Sequence, residues 1–144
     1  MSIHTAAANL EFVLEKGCER ISRSKFTVLF RRGDKCFGMF IVLKGKVSLD
    51  VGTDSPLARS YGPGALIGLP ATLSGLNYSM SATVMEDAEL GFWSREELDT
   101  LLGARPDLCQ QLLAVVAARL AENQAMLKAL LRGDKLPFPN SKVV

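Results

Sequence analysis

The sequence predicts a single mainly β domain with flanking helices, a sandwich or jelly-roll barrel, from three observations. Between Ile21 and Trp93, short runs of β-branched and aromatic residues alternate with turn residues at a spacing of about 8–12. Segments with helical periodicity lie on both sides of this region. A length of 144 residues suits one domain with a real core, and 48% hydrophobic against 22% charged residues excludes intrinsic disorder.

Residues 5–16 place Ala6, Leu10, Val13 and Leu14 on one helical face, and Gly17 suits a C-terminal cap, so residues 1–17 read as a leading helix. Strands are expected at 26–30, 37–43, 47–51 and 57–61. The turns between them are Arg32-Gly33-Asp34, Lys44-Gly45-Lys46 and residues 52–56. After Gly62-Pro63-Gly64 come closing strands at 81–84 and 89–93, and the spacing over residues 21–93 suits about eight strands. Ser94 and Glu97 fit a capping box, in which each side chain satisfies the other residue's free N–H, so a helix begins at Arg95 and stops near Gly103. Pro106, favoured in a first helical turn, opens a helix reaching Leu131, about 37 Å long. Residues 1–131 therefore form the domain, with 95–131 as its C-terminal helices and 132–144, containing Pro137 and Pro139, as a tail.

Charge and residue chemistry exclude several functions. Lys+Arg 17 against Asp+Glu 15 gives a net charge of +2, too small a field for condensing nucleic acid or an anionic membrane. Cys18, Cys36 and Cys109 lack C-x-x-C spacing, so neither a disulfide framework nor a metal site is expected. Glu11 interrupts the apolar start, and no apolar run reaches the ~18 residues of a membrane span, which points to a cytoplasmic protein with no membrane partner. The single histidine, His4, is near the terminus, so no imidazole cluster, Ser-His-Asp or Cys-His arrangement can form. The chain reads as a non-enzyme with no catalytic residue, metal or cofactor. Met80 and Met85 read as core filler and Tyr78 as a surface-loop residue. Lys25, Arg31, Arg32 and Lys35 read as a solvated hairpin edge.

In chain order, the stretches 27–34, 40–47, Tyr61-Gly62-Pro63-Gly64, Ile67-Gly68 and Ser81-Ala82-Thr83-Val84 resemble the cyclic-nucleotide-binding domains of the Crp/Fnr regulator family, over about Ser22 to Leu131. The resemblance implies a double-stranded β-helix, or jelly-roll-like β-roll, with a ligand pocket inside it and a C-terminal helix that covers the pocket and pairs two subunits. The family's phosphate cassette uses a Glu for the ribose hydroxyl and an Arg for the cyclic phosphate. Here those positions fall on Gly68-Leu69 and Met80-Ser81-Ala82, so both side chains are replaced by apolar ones. The degenerate cassette then comprises Gly68, Leu69, Pro70, Ala71, Met80, Ser81, Ala82 and Thr83.

The residues themselves support that reading, because Ser60 to Met85 contains no Asp, Glu, Lys, Arg or His. A buried phosphate needs a charged donor, preferably a bidentate Arg, to offset its lost hydration. Leu69, Pro70, Leu73, Leu76, Tyr78 and Met80 would suit a small neutral or apolar ligand; a roll filled by its own side chains is the alternative. Along the last helix, Leu113, Leu120 and Leu127 are spaced by seven, and Cys109, Val116, Asn123 and Leu130 form the offset row of an a/d seam. A homodimer through this helix is expected. Packing of the neighbouring face, Leu108, Leu112, Val115 and Ala118, on the subunit's own roll is compatible with it.

In the family a helix-turn-helix DNA-binding domain follows this helix, whereas 11 residues follow Gly133 here, so the chain alone is expected not to bind DNA. The sequence-level expectation is a naturally stand-alone regulatory or sensor module that does not bind cAMP or cGMP. Its alternatives are a ligand-free dimerisation or protein-interaction module, and the sensor half of a truncated transcription factor.

Overall fold

The computed structural model describes residues 3–51 and 59–118. Its elements, in chain order, are α1 (Ile3–Gly17), β1 (Glu19–Arg23), β2 (Val28–Phe30), β3 (Gly38–Asp50), β4 (Arg59–Tyr61), β5 (Leu66–Ile67), α2 (Leu69–Ser74), β6 (Ser81–Ser94) and α3 (Arg95–Ala104). Residues 106–118, here α4, are helical as well. The fold is mainly β, an antiparallel sheet with flanking helices, as the sequence predicts.

Side-chain alternation along β3 explains the layering. Phe40 and Val42 enter one apolar cluster with Phe30, Val47, Leu49, Ile67, Tyr78, Ala82, Val84 and Leu90. Met39 and Ile41, pointing the opposite way, join a second cluster with Leu10, Leu14, Leu66, Leu69, Trp93, Leu98, Leu108 and Leu112. The sheet is thus covered on both faces at this end, by the roll interior and by the helices. Trp93 locks the helical side by donating its indole N–H to the Leu14 carbonyl at 2.9 Å.

β6 is the spine. It pairs antiparallel with β1, β2 and β3, and β3 pairs in turn with β4 and β5. The β3–β6 register runs from Gly38↔Ser94 to Asp50↔Ser81, with shifts between Val42 and Val47. Gly45 lies at that irregularity with φ +91, and a Cβ there would sit 2.6 Å from the Asp87 carbonyl oxygen. Such a bulge bends and twists both partners, which curls the sheet into a roll.

This corrects the expected strand list. Lys44-Gly45-Lys46 is a bulge inside one continuous strand, not a turn, and residues 81–84 and 89–93 likewise belong to one strand. Six strands result among the described residues, two of them long, where about eight short ones were expected. β1 was not anticipated because Glu-Arg-Ile-Ser-Arg is charged and mostly exposed, with no apolar alternation to announce it. The capping box is present: the Glu97 N–H donates to Ser94 Oγ at 3.1 Å, and the Ser94 N–H to Glu97 Oε1 at 3.3 Å. α3 starts at Arg95 as expected and ends one residue past Gly103.

Candidate functional site

The site is built where β5 turns into α2. Gly68 adopts the left-handed conformation at the head of α2, with φ +81, and a Cβ there would press on the Tyr78 ring at 3.1 Å. The Thr72 hydroxyl donates to the Gly68 carbonyl at 2.7 Å. The buried Cys36 thiol lies 3.4 Å from Thr72 Oγ1, in hydrogen-bond contact with it.

The loop after α2 is pinned to the loop after β2. The Gly33 N–H donates to the Tyr78 carbonyl at 2.8 Å, and the Tyr78 N–H to the Asp34 carbonyl at 3.0 Å. The Tyr78 side chain then enters the roll, where it is 2% exposed. Its hydroxyl donates to the Gly38 carbonyl at 2.6 Å and accepts from the Phe37 and Gly38 N–H groups at 3.4 and 3.3 Å. Its ring stacks on Phe30, with centroids 3.7 Å apart and planes 9° apart, and meets Phe37 edge-on. Burial above all, with the Cys36 contact adding to it, holds the phenol well above its ordinary pKa, so it stays protonated. Tyr78 is therefore a core residue, and the surface-loop reading is corrected.

The space left between α2 and the sheet is a cavity of about 30 Å³ lined by Phe30, Leu49, Gly68, Pro70, Ala71, Tyr78, Ser79 and Met80. That is room for about one water, whereas small-molecule sites span roughly 300–1,000 Å³. The roll is filled here chiefly by its own aromatic rings.

Of the cassette residues expected from sequence, Gly68, Pro70, Ala71 and Met80 line the cavity. Leu69 is fully buried in the opposite cluster, with Leu73 packed against it, while Leu76 is 68% exposed. Ser81 Oγ accepts the Arg32 N–H at 2.9 Å, Ala82 is core, and Thr83 is a sheet position opposite Val28 and Ser48. Phe30, Leu49 and Ser79 were missed. Leu49 was accessible through the alternation Val47, Leu49, which marks the inward face of β3, but nothing local distinguishes a lining residue from other core. Lys25, Arg31, Arg32 and Lys35 are exposed, as expected of a hairpin edge.

On α4, Leu108 and Leu112 are buried against the helical cluster, with Val115 and Val116 partly buried beside them. Among the expected seam residues, Cys109 is half-buried, Val116 leans on the protein's own core, and Leu113 is 59% exposed. Leu120, Asn123, Leu127 and Leu130 lie outside the described residues.

Known proteins share this arrangement. The family model for the cyclic nucleotide-binding domain matches residues 20–105, more than half of the chain. The chain belongs to the cyclic nucleotide-binding domain family. Within it, the chain is similar to the cyclic AMP receptor protein of Thermus thermophilus, 32% identical over 105 residues, covering 71% of this chain and 49% of that protein. The crystal structure of the Thermus thermophilus catabolite activator protein superimposes with a TM-score of 0.72 at 27% identity, over 90% of this chain and 60% of the other. The N-terminal domain of a transcriptional regulator from Streptomyces coelicolor follows at 0.65 and 25% identity, over 82% and 85%. The chain thus spans about half the length of its curated relative. It has the mainly β fold of that family, and none of the side chains lining the cavity at the head of α2 is charged.

Proposed function

We propose that this chain is a non-enzymatic regulatory module of the Crp type that does not bind cAMP or cGMP, and that it works as a homodimer joined through α4. The observation that supports this best is the composition and fit of the site. No charged side chain lines the cavity, and only about 30 Å³ is left beside Tyr78 and Met80. A cyclic phosphate would there lose its hydration without a cation to replace it. The exposed Leu113 supports the pairing surface, because Leu108 and Leu112 already satisfy the roll-facing side of the helix. Among the described residues no helix is long and apolar enough to cross a membrane.

A second reading, a sensor for a small neutral ligand, is favoured by the apolar lining Pro70, Ala71 and Met80, which would accept such a molecule if α2 moved outward. Native mass spectrometry of the purified chain separates the two. The proposal expects a dimer of unliganded mass; a dimer carrying a small molecule released on denaturation supports the second reading, and a nucleotide adduct contradicts both.

A further inference from the structure

We propose a second, anion-selective site on the other side of the 33–38 loop, taking a small carboxylic acid with an apolar body. A groove of about 330 Å³ is lined there by Lys35, Cys36, Phe37, Arg95 and Glu96, and none of these lines the cassette cavity. Arg95 Nε is shut off from solvent with no hydrogen-bond partner, which is rare for a guanidinium nitrogen, and among the described residues Arg95 has no ion pair to offset its charge. The group is held in place, since Arg95 Nη2 lies 2.8 Å from where a Cβ on Gly75 would be. Such a side chain is pre-positioned at the end of α2.

The backbone does not supply the site. The Arg95 N–H donates to the Phe37 carbonyl at 3.3 Å and the Ser94 hydroxyl takes the Glu97 N–H, so side chains alone define its charge. Two cations against the one carboxylate of Glu96 leave an excess of one positive charge, suited to a monoanion. A planar carboxylate matches the guanidinium fork with two parallel hydrogen bonds, and Lys35 adds a second point charge. Phe37, 47% exposed, offers a face for the apolar body, and the volume is at the small end for ligand sites.

Sodium benzoate titrated into the ¹⁵N-labelled chain, followed by amide resonances, tests this directly. Saturable shifts are expected at residues 35–37 and 95–96 with millimolar affinity, and not with sodium chloride at equal ionic strength. Arg95→Gln should weaken binding about tenfold or more and Lys35→Gln about threefold. Absence of saturable shifts up to about 50 mM overturns the proposal. So does undiminished affinity in Arg95→Gln, or in Lys35→Gln should the Arg95 variant lose its fold; a purely structural Arg95 would leave the Lys35 variant unchanged.

Discussion

Tyr78 shows how one side chain decides the state of this site. Its hydroxyl serves three backbone groups and its ring occupies the space beside Phe30. Tyr78→Phe keeps the stack but leaves the buried Gly38 carbonyl without its 2.6 Å donor, so urea unfolding should show a loss of about 1–3 kcal/mol. The pH dependence follows from the raised phenol pKa. The unfolded chain ionises Tyr78 above its ordinary value near 10 while the folded chain keeps the proton, so the stabilisation is complete below about pH 10 and declines as pH rises beyond it. The stability gap between wild type and Tyr78→Phe should therefore narrow above pH 10, and a gap that widens there would contradict the burial argument. Leu69 makes the opposite point. It is fully buried in the helical cluster, so Leu69→Glu should cost about 3–5 kcal/mol in the same assay, whereas Met80→Arg at the half-buried cavity wall should be tolerated. Equal losses for the two would mean that Leu69 faces the roll.

At the level of elements, α4 has a buried face and an exposed one. Leu112 is 1% exposed and docks on the roll's outer cluster, so Leu112→Ala should destabilise each subunit by about 2–5 kcal/mol. Leu113, one position on and 59% exposed, should accept Glu with no loss of fold stability, and on the proposed pairing through α4 the variant should sediment as a monomer where the wild type sediments as a dimer. A dimer unaffected by Leu113→Glu would remove α4 from the pairing surface. The same elements show what sequence could reveal. Helix ends with their own chemistry, Gly17, Ser94 with Glu97, and Pro106, were legible because the signal and the structure lie within a few residues. Gly45 was not, because the residue pattern of a hairpin turn and that of a bulge coincide, and only the Asp87 carbonyl on the partner strand decides between them. Burial of Tyr78 was hidden for the same reason: its partners, Phe30 and Gly38, are distant in sequence and its neighbours Asn77 and Ser79 are exposed.

At the scale of the whole molecule, the described residues have the fold of the cyclic nucleotide-binding domain, and no charged side chain lines the cavity at the head of α2. Fold and cavity rest on different residues: β3 and β6 need alternation and a bulge, which this sequence supplies, whereas a buried phosphate needs a charged donor, and the cavity lining has none. That separation explains how the family resemblance is legible over most of the domain, while ligand choice rests on the few residues at the cavity. Isothermal calorimetric titration of the full chain with cAMP and with cGMP tests the central claim most directly. No saturable heat is expected with either nucleotide up to about 1 mM, the concentration at which even a weak specific site becomes occupied. A fitted dissociation constant in the micromolar range for either would contradict the account, since it would require the roll to open around a phosphate with no charged partner from the cassette.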